Sequence, residues 1–170
     1  MKIDDIRQSV NSLWASATEG WRRLRQSAAD SLTAFKATEG SGMPARSEVD
    51  DDFYLPSLGW SMLGGNVFED DQRVVVRLEI PGMEKDNFNI EVIDDMVVVR
   101  GQKRFEHETS EGRYRLLQCA YGSFRREISL PVPVQIDKTE ATYRDGVLRI
   151  ELPKTSPDKA RSTSKLIKID

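Results

Sequence analysis

The sequence predicts an all-β fold: an immunoglobulin-like antiparallel β-sandwich, carried between an N-terminal helical arm and a flexible C-terminal extension. Three observations predict it. Between residues 60 and 153, apolar and polar residues alternate in short runs separated by turn signals. Ahead of them, apolar residues recur at helical steps. Behind them runs a polar tail that closes on Lys165-Leu166-Ile167-Lys168-Ile169-Asp170. The expected division is an amphipathic arm over 1–40, a linker over 41–59, the sandwich over 60–153 and the extension over 154–170.

The arm is marked by Ile3, Ile6, Val10, Leu13, Ala17, Trp21, Leu24, Ala28, Leu32 and Phe35. No proline interrupts them, and Gly40 is a natural stop. At ~1.5 Å per residue such a helix runs roughly 50 Å, although Gly20 can divide it. An apolar face of that length has to be buried. The linker then mixes Gly, Pro and Ser with the acidic run Asp50-Asp51-Asp52 and with Phe53, Tyr54, Leu55 and Trp60.

Strand periodicity follows. Val74, Val76, Leu78 and Ile80 alternate with Arg73, Arg77 and Glu79; Phe88, Ile90 and Val92, then Phe124, Ile128 and Leu130, then Leu148, Ile150 and Leu152 alternate with polar neighbours. Val97-Val98-Val99 follows the turn at Asp94-Asp95. Further turns stand at Pro81-Gly82, Pro131 to Pro133 and Asp145-Gly146. The loop between Gly101 and Ser123 is long for a hairpin connection. Within it, Tyr114-Arg115-Leu116-Leu117 has strand character, and a strand isolated in a loop pairs elsewhere, for instance with another chain. Arg126 shares its parity with Phe124, Ile128 and Leu130, so the apolar side of that strand carries a cation that needs a partner.

Composition bounds the function. The 170 residues hold 25 basic and 28 acidic side chains, a formal net charge of −3. No global field draws such a chain to nucleic acid or to an anionic membrane. Arg22, Arg23 and Arg25 flank Trp21 and Leu24, but Asp4, Asp5, Glu19 and Asp30 dilute that face. A solvated helix face is therefore favoured over a membrane-surface helix. The single Cys119 and the acidic start Met1-Lys2-Ile3-Asp4-Asp5 point to a reducing compartment, the cytoplasm. Catalytic chemistry is not indicated. His107 stands alone in a charged loop, Cys119 lacks a histidine beside it, and the glycines form no phosphate loop. No metal-ligand spacing occurs, and the carboxylates come as solvated runs. Neither an enzyme, a metal nor a cofactor is expected.

Several motifs, in order, resemble the small heat-shock proteins, the family built on the α-crystallin domain. Gly146-Val147-Leu148-Arg149-Ile150-Glu151-Leu152-Pro153-Lys154 is similar to the strand that ends that domain. Leu78-Glu79-Ile80-Pro81-Gly82-Met83 with Phe88-Asn89-Ile90-Glu91-Val92, and Tyr121-Gly122-Ser123-Phe124-Arg125-Arg126, are similar to its earlier strands. Ile167-Lys168-Ile169 resembles the family's carboxy-terminal isoleucine–x–isoleucine motif. The long loop is similar to that of the bacterial and plant branch.

The resemblance implies an ATP-independent chaperone that holds partly unfolded proteins soluble for ATP-driven refolding machines, working as an oligomer of dimers. It implies that Ile167 and Ile169, with Leu166, dock in a groove of a neighbouring subunit lined by Phe88, Ile90, Val92, Ala141 and Tyr143, outside the sandwich core. It implies a dimer seam at Tyr114, Leu116 and Arg126, although an intrachain ion pair for Arg126 stays open. Leu13, Trp14, Trp21, Leu24 and Phe35 of the arm are the expected client-binding residues, or else pack the inside of the oligomer. The alternatives are a sandwich-type co-chaperone or adaptor without holdase activity, and a membrane-stabilising stress protein.

Overall fold

Period-two alternation becomes antiparallel sheet. The computed structural model describes residues 30–108, 111–155 and 165–169. Among them ten strands are formed: β1 (Leu32–Lys36), β2 (Leu58–Met62), β3 (Gly65–Glu69), β4 (Arg73–Glu79), β5 (Phe88–Ile93), β6 (Met96–Lys103), β7 (Gly122–Ser129), β8 (Glu140–Arg144), β9 (Val147–Pro153) and β10 (Lys165–Ile167). They make a six-stranded sheet in the order β10-β5-β6-β7-β1-β2 and a four-stranded sheet in the order β3-β4-β9-β8. The chain from Thr33 onward forms one compact unit. The all-β sandwich expected from the sequence is the fold observed.

The core lies between the sheets. Val74, Val76 and Leu78 of β4 and Leu148, Ile150 and Leu152 of β9 face Ile90 and Val92 of β5, Val97 and Val99 of β6 and Phe124 of β7. Burying each such aliphatic side chain contributes about 1.5–3 kcal/mol. Val98 is just as buried although it points outward. It lies between Glu91 and Glu127 in the register. Glu91 accepts from Arg100 at 2.7 Å and Glu127 from Arg125 at 2.6 Å, so an ion pair involves its neighbour on either side.

Turn chemistry fixes the hairpins. Asp145 and Gly146 both have positive φ, 52° and 78°, as a two-residue turn between right-twisted strands requires. Gly122 opens β7 at φ 111°, and a Cβ there would stand 2.2 Å from the Lys36 carbonyl oxygen. Only glycine lets β1 approach so closely.

Two expectations are corrected upstream of residue 60. The helical arm does not run to Gly40. Leu32–Lys36 is a strand that pairs with β7, Phe35 opposite Phe124. The three-residue step from Leu32 to Phe35 imitates a helix, but the inward pair is Thr33 and Phe35, two apart, while Leu32 is half exposed. The stretch 41–59, expected as a linker, packs on the domain in part. Val49 and Tyr54 are buried, and the Tyr54 hydroxyl donates to the Pro44 carbonyl at 2.7 Å. The expected arm residues Leu13, Trp14, Trp21 and Leu24 lie outside the described residues.

Candidate functional site

At one edge of the six-stranded sheet, β10 pairs antiparallel with β5: Lys165 opposite Val92, Leu166 opposite Glu91 and Ile167 opposite Ile90. Ile169 then makes a parallel bridge to Ala141 of β8, in the other sheet. The tail tip thus spans the open side of the sandwich. Ile167 is only 7% exposed and belongs to the main apolar cluster, Ile169 packs against it, and Lys168 is exposed. Phe88 and Tyr143 close the end of the groove with ring centroids 4.9 Å apart. The Tyr143 hydroxyl donates to the Ile80 carbonyl at 2.8 Å. Burial pushes this phenol above its usual range, with a hydrogen bond to the Met83 backbone pulling the other way.

The five groove residues read from the sequence are therefore brought together, and the tip lies on them. Two details differ from expectation. In a single subunit the tip occupies its own chain's groove. Nor does the tip lie outside the core, because Ile167 completes it.

The expected seam residues are not gathered in one place. Tyr114 forms a one-residue bridge with Val49 of its own chain instead of a strand, and Leu116 stays 62% exposed. Phe105 anchors this region, with the rings of His107, Tyr114 and Tyr121 about it at 5.0, 5.1 and 5.0 Å. His107 Nε2 donates to the Gly42 carbonyl at 2.9 Å, which gives the lone histidine a structural part. Burial, then the neighbouring Cys119, raises the Tyr121 phenol. Leu116, Leu117, Cys119 and Tyr121 face Tyr54 and Trp60 across an apolar cleft. Arg126 sits elsewhere, on β7 opposite Val99. Its Nε is buried without a hydrogen-bond partner. Phe35, expected on a client-binding surface, is 1% exposed with its ring 4.9 Å from Phe124. It is a core residue, because β1 turns it into the sandwich.

Among the described residues, no cluster of three or more His, Cys, Asp or Glu side chains is placed to hold a metal ion. No helix there is long and apolar enough to cross a membrane.

A family profile described as Hsp20/alpha crystallin family matches residues 66–170, which run from β3 to the docked tip and leave out β1 and β2. The chain belongs to that family. This small heat-shock protein is 32% identical over 96 residues to small heat shock protein C4 of Rickettsia felis, covering 56% of this chain and 59% of that one. It is 31% identical over 147 residues to the mitochondrial 23.6 kDa heat shock protein of Oryza sativa, covering 86% of this chain and 61% of the other. Among solved structures, heat shock protein 16.0 of Schizosaccharomyces pombe superposes with a TM-score of 0.52 at 27% identity, covering 59% of this chain and 94% of that one. The chain spans about three-fifths of the length of the first two relatives. Small heat-shock proteins are, as a family, chaperones without enzymatic activity.

Proposed function

We propose that this chain is an ATP-independent holdase, which binds partly unfolded proteins and keeps them from aggregating as a dynamic oligomer of dimers in the cytoplasm. Clients pass from it to ATP-driven refolding chaperones. The observation that carries the reading is the seat of Ile167 against Ile90. A tip that fits its own groove fits the identical groove of a neighbour, so tails can tie subunits together. Two buried isoleucines contribute at most roughly 3–6 kcal/mol, so one tie is weak and many hold by effective concentration. That combination gives an assembly that persists and still exchanges. In the dimer, the Tyr114–Leu117 segment crosses to the partner. β3, exposed along its length and paired on one side only, offers the free strand edge such a segment needs.

The test is light scattering from a heat-aggregating enzyme, without nucleotide, with the native mass of the chain measured alongside. Scattering is expected to fall as the chain approaches equimolar amounts. Unchanged scattering at molar excess would reject the holdase reading.

A further inference from the structure

The long loop does not lie free, and what fastens it centres on one carboxylate. Asp50 Oδ1 accepts from Arg113 at 2.8 Å, and its Oδ2 pairs with Arg115. Between those arginines, the backbone of Tyr114 is bracketed. Its carbonyl accepts from Asp50 N at 2.8 Å and its N–H donates to the Glu48 carbonyl at 3.0 Å. Arg113 also donates to the Ser47 carbonyl at 2.9 Å. Further along, Phe105 N donates to the Ser41 carbonyl at 2.8 Å, while the ring of Tyr114 packs on Phe105. Beneath lie Val49 and Phe105, both buried, yet neither belongs to the main sandwich core.

We propose that Asp50 latches the loop, through Arg113 and Arg115, to its own subunit, and that opening this latch is the step that releases Tyr114 to a second copy of the chain. This rests on the dimer reading given above.

The latch has the composition of something built to open. Its backbone share is a bridge one residue long. Its side-chain share is a pair of ion pairs whose arginines are 55% and 82% exposed, with Asp50 at 26%. Such pairs weaken as salt shortens the screening length. The sandwich is held by apolar burial, which salt does not screen. Ionic strength therefore acts on the loop selectively. Opening is local, because Val49 and Phe105 both stand outside the main core cluster.

The test compares the full chain with Asp50→Asn, and with Asp52→Asn as a charge-matched control. Asp52 is 98% exposed and faces Arg46 at 3.8 Å instead of the loop. Two readouts are taken: amide hydrogen exchange resolved along the chain, and subunit mixing by native mass spectrometry of isotopically light and heavy protein. In Asp50→Asn, exchange at Phe105 and Tyr114 is expected to rise about tenfold, with mixing faster in step. Amides of β6 and β9 should keep their rates, and Asp52→Asn should match the wild type. Raising salt from about 0.05 M to about 0.5 M should speed the loop in the wild type and hardly alter it in Asp50→Asn.

Unchanged loop exchange in Asp50→Asn overturns the latch. So does an equal rise across β6 and β9, which would make Asp50 a residue of global stability. Faster loop exchange with unchanged mixing overturns the link between opening and assembly. Deleting Ser110 to Gln118 then separates the two failures. Loss of dimers on deletion keeps the dimer reading while the latch fails, and intact dimers place the seam elsewhere.

Discussion

Ile167 stands directly opposite Ile90 across the β10–β5 pair, and both side chains belong to one apolar cluster. The tip of the tail is thus the last piece of the core and also the piece most easily withdrawn. Withdrawal uncovers Ile90 and Val92, which are otherwise fully buried.

Replacing Ile167 and Ile169 together with Ala should lower native mass toward dimers or small assemblies. It should also lower the melting temperature of the domain, since burial of the two isoleucines is worth at most roughly 3–6 kcal/mol. The loss is capped there, because an undocked tail leaves the other strands standing. Exposed Lys168 makes Lys168→Ala a neutral control. Native mass spectrometry and calorimetry read both effects, and an unchanged native mass would leave the arm as the element that holds the oligomer.

Phe35→Ala should cost about 3–5 kcal/mol in urea unfolding, because it empties a ring-sized volume against Phe124. Leu32→Ala, three residues away and 45% exposed, should cost under about 1 kcal/mol. Equal, small effects from the two would restore the helical reading of this stretch.

Arg126→Met keeps the length of the side chain and removes a buried donor that has no partner. The isolated subunit should unfold at the same urea concentration or a higher one, since the unsatisfied group carried a desolvation cost. Dimer dissociation should become about tenfold easier if Arg126 meets the partner. A fall of more than about 2 kcal/mol in subunit stability would instead reveal an intrachain partner.

Burial raises the phenols of Tyr54, Tyr121 and Tyr143. In the unfolded chain such groups lose their protons near pH 10. Above that pH the folded state binds more protons than the unfolded one, so stability falls as pH rises from about 10 through the raised folded values. Unfolding free energy should be flat with respect to these groups at neutral pH and decline in the alkaline range. Tyr54→Phe with Tyr143→Phe should reduce the slope; an unaltered slope would assign the alkaline loss to other groups.

What the sequence displays depends on how each element is buried. Strands with one wet face alternate visibly, so β5, β7 and β9 could be read from their period. Val97-Val98-Val99 is a continuous run because Val98 is buried on the outer face as fully as its neighbours are on the inner one. β2 and β3 left no alternation, since Trp60, Met62, Val67 and Phe68 are all substantially exposed on edge strands. β1 was masked by a spacing that suits a helix and a strand equally. The groove residues were legible only through resemblance, because nothing in their spacing says that the tip of the tail will lie on them. The Asp50 contacts were not legible at all. That carboxylate sits in a run of three aspartates, and only the fold shows which of them faces Arg113 and Arg115.

The docked tip also carries an arithmetic of its own. Each subunit owns one groove and one tail, so any arrangement that fills every groove is a permutation of tails among subunits. Permutations decompose into closed cycles. The self-docked subunit seen here is a cycle of one, and exchanged tails give cycles of two, three or more. An open row is the one arrangement that fails, because it strands an empty groove at one end and an unseated tail at the other. Growth by tail exchange therefore favours rings and shells of finite size over filaments, whatever the subunit number.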